Sequence, residues 1–168
     1  YYAQYDNISA RVAEEDRSVN GNDLQVFGSI TKSAGPSGRD LVGYSGFSSS
    51  NYFKQPYNSG LDFGTGDFAY SGWFYKSTTT PSTILHRSAA QDGEANWNNA
   101  GQIHQMEFNG TTLVAAIYNT GFGNQANLSV TDDFYITGRW VNFVFMRKGS
   151  SMEMWLDGEL KDQVTNTL

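Results

Sequence analysis

The sequence predicts an all-β fold, in which two antiparallel sheets pack face to face as a sandwich. Short runs of alternating apolar and polar residues recur along the chain, at the spacing that is typical of sandwiches. Pairs such as Asn109-Gly110 and Asp157-Gly158 separate some of these runs, and such pairs favour tight hairpin turns. Aromatic residues make up 15% of the chain, and because aromatic side chains are enriched in strands, this content also favours sheets.

The first 22 residues are predicted to be a lead-in, a linker or an assembly arm, and residues 23–168 are predicted to form the sandwich domain. Residues 8–17 fit a short helix as well as an irregular segment. The Asn20-Gly21 pair then signals a turn. Beyond it, the alternation predicts short strands at 24–31, 41–47, 52–57, 67–75, 84–86, 102–108, 113–118 and 128–130.

The predicted strand at 67–75 carries aromatic side chains on both of its sides. One side has Phe68, Tyr70 and Phe74, and the other has Trp73 and Tyr75. We expect Phe68 and Phe74 to point into the core. Gly72 leaves a gap that a neighbouring aromatic ring can fill.

Residues 139–160 have the pattern of two strands and two turns. In the first strand, one side carries Trp140, Asn142, Val144 and Met146, and the other carries Val141, Phe143 and Phe145. Because both sides are mainly apolar, we expect the strand to be covered on both faces, with Trp140 and Val144 among the residues that point inward. Asp157-Gly158 then predicts a type I′ turn, since both central residues of that turn need a positive φ.

Composition excludes several classes of partner and site. The formal charge is −6 and no Lys/Arg cluster is present, so we expect no nucleic-acid partner, because phosphate binding needs a basic patch. No apolar run approaches the ~20 residues of a membrane helix, so we expect no membrane insertion. The chain has no cysteine, which excludes disulfides, thiolate zinc sites and thiol nucleophiles.

Two segments carry a family resemblance. LDFGTGDFAYSGWFY (61–75) and the later RWVNFVFMRKG with MEMWLDGEL (139–160) resemble the laminin-G/pentraxin-like domains of the concanavalin A-like lectin/glucanase superfamily. Residues 40–68 are also similar to laminin-G-like modules of bacteriophage tail fibres and other virion proteins. The resemblance implies a jelly-roll sandwich over residues 23–168, and an extracellular or virion location.

The chain departs from this family at its C-terminal end. Relatives run on for two or more strands after the Asp-Gly hairpin, whereas only residues 159–168 follow it here. We therefore expect the jelly roll to be incomplete at the C-terminus, unless the chain continues further or a strand comes from elsewhere. An incomplete sheet exposes an edge that recruits strands. Residues 1–31, or those of a neighbouring copy in a homo-oligomer, are the predicted source.

The superfamily includes glycosidases, but we expect no enzyme here. Catalytic carboxylates of the glucanase branch share one strand as Glu-x-Asp-x-x-Glu or a close variant, and Glu153, Asp157 and Glu159 do not match that spacing. Both histidines are interpreted as structural. His86 precedes an arginine, and His104 shares its side of a strand with buried-type residues, so we expect His104 to have a hydrogen-bond partner inside the sandwich.

Calcium is the one cofactor that the sequence leaves open. Some members of the family bind Ca²⁺ at the rim of the sandwich, where loops supply oxygen ligands. The candidate ligands here are Asp132 with Asp133, and Asp92 with Glu94. Adjacent acidic residues more often serve as turn formers, so we expect no cofactor.

A carbohydrate site is predicted in two long polar loops. Sugar sites combine an aromatic ring, which covers the apolar face of a pyranose, with planar amides that hydrogen-bond its hydroxyls. The candidate ligand-binding residues are Trp97, Asn98, Asn99, Asn119, Phe122, Asn124 and Gln125. Trp97 could equally be buried against its own domain or a neighbouring copy, because aromatic residues also dominate interfaces. The other tryptophans, Trp73, Trp140 and Trp155, are assigned to the core or to packing on a sheet face.

The sequence therefore predicts a non-enzymatic carbohydrate-binding module of an extracellular or virion assembly, such as a bacteriophage tail fibre. Its partners would be surface glycans of the host and other subunits of the assembly. The alternative is a purely structural decoration or filament subunit with no glycan ligand.

Overall fold

The computed structural model describes residues 21, 23–34, 42–88, 102–118, 125–131 and 138–165. These residues contain β-strands, one turn of 3₁₀-helix at Ser59–Leu61 and no α-helix, so none of their helices is long enough to cross a membrane. The predicted all-β fold with antiparallel sheets is confirmed. The strands are β1 Gln25–Phe27, β2 Thr31–Ala34, β3 Val42–Ser45, β4 Tyr52–Lys54, β5 Phe68–Tyr75, β6 Ser82–Ser88, β7 Ile103–Asn109, β8 Thr112–Tyr118, β9 Gln125–Thr131, β10 Trp140–Lys148, β11 Ser151–Leu156 and β12 Glu159–Thr165.

The chain divides into two compact units, Tyr1–Asn58 and Ser59–Leu168. The arm predicted for residues 1–22 lies outside the described residues, apart from Gly21, and its boundary stays a prediction. The prediction that an N-terminal segment or a second copy completes the sheet is equally untested.

The N-terminal unit contains two antiparallel strand pairs, β1 with β4 and β2 with β3. The single strand predicted at 24–31 is wrong in this respect, because Gly28 adopts a φ of +71° and separates β1 from β2. Asn51 stabilises this break: its Oδ1 accepts a hydrogen bond from the Ser29 amide (3.0 Å), and its Nδ2 donates to the Gly46 carbonyl (3.0 Å).

The C-terminal unit is a sandwich of two four-stranded antiparallel sheets. Sheet I has the order β12-β11-β10-β5, and sheet II has the order β6-β7-β8-β9. In both sheets most neighbouring strands are consecutive in the chain. The exception is the β5–β10 pair of sheet I, because all four strands of sheet II lie between these two strands in the sequence. The jelly-roll connection of the family stays a prediction.

Tight turns join the strands of the two sheets where the sequence places glycine. Asp157 and Gly158 have φ values of 50° and 82°, as the type I′ prediction for the β11–β12 hairpin requires. The β7–β8 and β10–β11 hairpins each have two-residue loops that begin with a glycine of positive φ, Gly110 and Gly149. A positive φ favours glycine because residues with a Cβ atom rarely adopt this backbone conformation.

One hydrophobic core fills the space between the sheets. Its buried members are Phe68, Phe74, Met106, Phe108, Leu113, Ala115, Ile117, Ala126, Leu128, Val141, Phe143, Phe145, Met152, Met154 and Leu156. All of them belong to the C-terminal unit. Phe68 and Phe74 point inward as predicted, and the Phe143 ring covers the gap at Gly72.

The predicted inward orientation of Trp140 and Val144 is wrong. The inward side of β10 carries Val141, Phe143 and Phe145, which are buried, whereas Trp140 and Val144 lie half-buried on the outer side. Both sides of β10 are apolar, so alternation alone gives the two sets of residues but not which set faces the core.

The edge strands β9 and β12 lie next to each other at one side of the sandwich. The backbone amide of Ser129 in β9 donates a hydrogen bond of 2.7 Å to Asp162 Oδ2 in β12. The β11–β12 pairing has a bulge between Met154 and Trp155, whose register partners are Asp162 and Leu160. The Asp162 carboxylate thus accepts a hydrogen bond from the Ser129 amide of the edge strand β9, and this amide would otherwise be open to another strand.

Candidate functional site

The outward side of sheet I is rich in large apolar side chains. We call it the outer aromatic face, and its members are Trp73, Tyr75, Trp140, Val144, Met146, Trp155 and Leu160. Three of the four tryptophans of the chain lie on it. They were assigned from sequence to the core or to sheet-face packing, and the structure places them on the sheet face that is turned away from the core.

The first aromatic cluster of this face consists of Trp73, Tyr75 and Trp140. Trp73 is 49% exposed and Tyr75 is 51% exposed, both unusually high for rings of this size on a sheet. Tyr75 and Trp140 face each other in the β5–β10 register, and their ring centroids are 5.7 Å apart. Alternation along β5 places Trp73 on the same side as Tyr75, since the two are two residues apart. The cluster therefore offers aromatic surface to solvent.

Polar groups lie beside the first cluster. Asn142 is the register partner of Trp73, and its Nδ2 donates a hydrogen bond of 2.9 Å to the Gly72 carbonyl. Asn142 Oδ1 accepts no hydrogen bond from the described residues. Asp157 accepts from the Asn142 amide (2.9 Å) and from Arg139 Nη2 (2.5 Å). An amide acceptor and an ion pair thus border the exposed rings.

The second aromatic cluster consists of Trp155 and Leu160, which face each other in the β11–β12 register. Trp155 is half-buried, and its Nε1 donates a hydrogen bond of 2.8 Å to Glu153 Oε2, which fixes the indole ring. The other oxygen, Oε1, accepts from Ser151 Oγ (3.1 Å) and Gln163 Nε2 (3.4 Å). The Glu153 carboxylate is thus a positioning group for Trp155.

A chain of hydrogen bonds runs through the inside of the sandwich at His104. Gln102 Nε2 donates to the Gly64 carbonyl (3.0 Å), so its Oε1 accepts from His104 Nε2 (3.0 Å). His104 Nδ1 then accepts from the Tyr70 hydroxyl (3.2 Å). Arg147 Nη1 ends the chain by donating to the same Gly64 carbonyl (3.1 Å).

The surroundings of these hydrogen bonds keep His104 and Tyr70 uncharged. Burial, with smaller contributions from the nearby Arg87 and Arg147 guanidinium groups, lowers the pKa of His104 to about 3. Burial raises the pKa of Tyr70 to about 12, against a smaller opposite effect of Arg87. A base that is neutral, fully buried and enclosed by Phe63 and Phe68 has no access to a substrate. The structural interpretation of His104, with hydrogen-bond partners, agrees with this geometry.

The carboxylates considered for catalysis each have a partner. Glu153 holds Trp155, Asp157 pairs with Arg139, and Glu159 pairs with Lys161 at 2.6 Å. Glu153 precedes Trp155 in β11, whereas Asp157 follows it in the turn after that strand. The other histidine, His86, lies in β6 opposite Gln105.

Most of the residues predicted to bind a ligand or a metal lie outside the described residues. These are Trp97, Asn98, Asn99, Asn119, Phe122, Asn124, Asp92, Glu94, Asp132 and Asp133. Gln125 begins β9, where its backbone pairs with Tyr118, and its side chain lies outside the described part of the structure. Within the ranges that the structure describes, no group of three His, Asp or Glu side chains could hold a metal ion.

The outer aromatic face is the part of the site that sequence reasoning missed. The signal was present, since Trp73 and Tyr75 alternate with Phe74, and Trp155 alternates with Met154. For β10, apolar residues on both sides predict a strand that is covered on both faces, whereas Trp140 and Val144 lie half-buried on its outer side. Comparisons with protein-family models, curated proteins and solved structures found no match to this chain.

Proposed function

We propose that this chain is a non-enzymatic carbohydrate-binding module and that its outer aromatic face stacks against sugar rings. The observation that carries the proposal is the gathering of Trp73, Tyr75, Trp140 and Trp155 on the outward side of one sheet. Exposed apolar surface of this kind marks binding sites, because leaving large rings in water is unfavourable. A pyranose has C–H-rich faces that cover such rings, and hydroxyls around its rim that need hydrogen-bond partners.

Asn142 and Gln163 supply hydrogen-bonding groups for the rim. The side-chain oxygen of each accepts no hydrogen bond from the described residues, while the nitrogen is held in place. The rigid sheet holds the rings and the amides at fixed spacing, so little conformational entropy is lost when a ligand binds. Pre-organised rings beside oriented amides favour sugars over ligands that are purely apolar.

We place the module in an extracellular or virion assembly, such as a bacteriophage tail fibre or appendage, where it would recognise glycans on a host surface. The support is the resemblance of residues 61–75 and 139–160 to laminin-G-like domains. Single sugar sites bind weakly, and several copies in one assembly would raise avidity by ~10²–10⁴ where the geometry lets them engage together.

The alternative is a structural subunit whose outer aromatic face is covered by another subunit. Tyrosine and tryptophan are also enriched in protein interfaces, so exposed rings alone fit both functions. The side-chain oxygens of Asn142 and Gln163, which accept no hydrogen bond from the described residues, favour the glycan. In the structural alternative, the same tryptophans would hold subunits together, and the chain would bind no glycan.

A glycan array probed with the wild-type chain and with Trp73→Ala tests the proposal. We expect wild-type binding to neutral glycans, and a loss of at least about tenfold in the variant, as for a central aromatic residue of a binding site. Phe47→Ala is the matched control, because Phe47 is an exposed ring (55%) in the N-terminal unit. Far-UV circular dichroism and the melting temperature show that each variant is folded.

Light scattering on the same samples separates the two functions. Absence of glycan binding, combined with an oligomer that Trp73→Ala dissociates, would establish the structural alternative. Trp97→Ala in the same array tests the predicted loop site, which lies outside the described residues. Equal binding by wild type and Trp73→Ala would contradict the assignment of the outer aromatic face.

A further inference from the structure

We propose that the outer aromatic face takes an uncharged oligosaccharide that reaches from Trp73 to Trp155, so that affinity depends on the length of the sugar chain. This inference rests on the proposed function and names the ligand class of the same face. It follows from three properties of the face: the separation of the two clusters, the pairing of charges beside them, and the position of the polar groups.

The two clusters are too far apart for one sugar ring. Ser71 in β5 pairs with Val144 in β10, which pairs with Trp155 in β11, and Trp73 lies two residues further along β5. Two strand spacings and two residues along a strand separate the Cα atoms of Trp73 and Trp155 by about 12 Å. A monosaccharide therefore contacts one cluster at a time, while a longer chain crosses β10 obliquely and contacts both.

The surface between and around the clusters favours an uncharged ligand. Val144 lies between them, and the nearby carboxylates are Glu153, Asp157 and Glu159. Asp157 and Glu159 are ion-paired with Arg139 and Lys161, and Glu153 accepts hydrogen bonds from neutral donors such as Trp155. Among the described residues, the cations beside the clusters are therefore already engaged with carboxylates, so an acidic sugar would meet repulsion in a chain whose formal charge is −6. Sialylated, sulfated and uronic-acid glycans are therefore disfavoured.

The polar groups suit a ligand that passes over both clusters. Asn142 lies beside Trp73, and Gln163 lies beside Glu153 in the next strand after Trp155. Each end of the path thus has at least one aromatic ring and one amide oxygen that accepts no hydrogen bond from the described part of the chain. Two such subsites, joined by the apolar Val144, match a linear chain with a ring stacked at each end.

Titration of the full chain with neutral oligosaccharides tests the inference. The probes are series from monosaccharide to hexasaccharide of β-1,4-linked glucose, N-acetylglucosamine, mannose and xylose and of β-1,3-linked glucose, with sialylated and sulfated glycans in parallel. Tryptophan fluorescence and calorimetry measure binding. For at least one neutral series we expect affinity to rise by about 10²-fold from the monosaccharide to the oligomer that spans both clusters, and then to level off, because the second contact becomes intramolecular.

Single variants distinguish a two-cluster ligand from a one-cluster ligand. We expect Trp73→Ala and Trp155→Ala each to abolish the length dependence and to reduce affinity for the long oligomer to that for a monosaccharide. The control variant Phe47→Ala should keep both the length dependence and the affinity for the long oligomer. Since Trp155 is half-buried, Glu153→Gln serves as a milder variant: it weakens the hold on the indole ring without removing it.

The possible outcomes distinguish failure of the two-cluster ligand from failure of carbohydrate binding itself. Binding of monosaccharides and long oligomers with equal affinity would overturn the inference and leave the proposed function in place. Binding lost in Trp73→Ala but unchanged in Trp155→Ala would do the same. If only acidic glycans bind, the ligand class is wrong. If no glycan of any series binds to the folded chain, the proposed function fails together with the inference.

Discussion

His104 shows how single polar residues inside the sandwich are kept neutral. Its two ring nitrogens have different roles, because Nε2 donates a hydrogen bond to Gln102 Oε1 and Nδ1 accepts one from the Tyr70 hydroxyl. A second proton would have to enter a buried site near two guanidinium groups, Arg87 and Arg147. The fold therefore keeps His104 neutral. This lowers the free energy of unfolding only at pH values where the histidine of the unfolded chain can take up a proton.

We expect the free energy of unfolding to fall on acidification because of His104. The unfolded chain takes up a proton near pH 6.5, whereas the native protein does so only at about pH 3. Between these values the unfolded state binds more protons, so stability is full above pH 6.5 and falls towards pH 3, by up to about 1.4 kcal/mol per pH unit. From pH 7 to pH 4.5 the loss of stability from this histidine alone should be about 2–3 kcal/mol.

Urea unfolding of the wild type, His104→Gln and His86→Gln at both pH values measures this contribution. His104→Gln should be less stable at pH 7, because the ring packs against Phe68 with centroids 4.7 Å apart, but it should lose less on acidification. His86→Gln is the control and should keep most of the loss. An equal loss in the wild type and His104→Gln would show that His104 is not held neutral.

Gly72 is a second residue whose role depends on one contact. A Cβ at this position would lie 3.0 Å from Phe143 Cε1 and 3.2 Å from Cζ, so the ring would have to move within the core. Gly72→Ala should therefore be destabilising by about 1–3 kcal/mol, although alanine normally stabilises a strand relative to glycine. The midpoint of chemical unfolding measures the effect.

The neighbouring residue provides the control for Gly72. Ser71→Ala, on the outer side of β5, should change stability by less than about 0.5 kcal/mol. If the clash is the cause, Gly72→Ala combined with Phe143→Leu should show coupling, since the two changes share one contact. A Gly72→Ala variant as stable as the wild type would mean that the ring moves freely.

Residues with local signals were predictable, and residues with distant partners were not. The turn at Asp157-Gly158 and the gap at Gly72 follow from conformational preferences that the sequence shows directly. The burial of Lys76 and Arg147 does not. Lys76 Nζ donates to the Thr80 carbonyl (2.5 Å) and lies 4.3 Å from the centre of the Phe108 ring. Arg147 Nη1 binds the carbonyl of Gly64, 83 residues away in the chain.

At the scale of the strands, alternation predicted pairs of faces but not their orientation. In β5 the two sets of side chains were separated correctly, and Phe68 and Phe74 were placed inward correctly. In β10 the choice failed, because Trp140 and Val144 are as apolar as Val141 and Phe143. Orientation depends on the partner strands and on the second sheet, which the local sequence does not contain. Because Trp140 and Val144 were placed in the core, the outer aromatic face was not predicted from the sequence.

The contact between β9 and β12 leads to a prediction at this scale. Asp162→Asn removes the charge from the carboxylate that accepts the Ser129 amide at 2.7 Å, and should lower stability by about 1 kcal/mol. Glu159→Gln makes the same charge change in the same strand, but Glu159 is an exposed partner of Lys161, so it should have almost no effect.

A third variant, Asp162→Ala, tests whether Asp162 protects the sheet edge. An open amide on an edge strand invites pairing with another chain, so Asp162→Ala should self-associate at concentrations where the wild type does not. Sedimentation velocity measures this. A stable, non-associating Asp162→Ala would show that the bulge at Met154/Trp155 protects the edge without the carboxylate.

For the molecule as a whole, the core and the proposed binding face belong to the same unit. All residues of the hydrophobic core cluster lie between Phe68 and Leu156, and both aromatic clusters lie between Trp73 and Leu160. The described part of the N-terminal unit has no large buried hydrophobic side chain, and its rings, such as Phe27 and Tyr52, pack on one another at 4.9 Å. Stability and binding are therefore expected to depend mainly on residues 59–168.

A fragment of residues 59–168 tests this division. We expect it to unfold in one cooperative thermal transition and to bind the same neutral oligosaccharides within about tenfold of the full chain, because the core cluster and both aromatic clusters are retained. Phe145→Ala in the fragment is the control for a true core: this fully buried ring should cost about 3–5 kcal/mol when removed. A fragment that melts without cooperativity or aggregates would instead favour the prediction that an N-terminal segment completes the sheet, and deleting residues 1–21 alone from the full chain would then locate that segment.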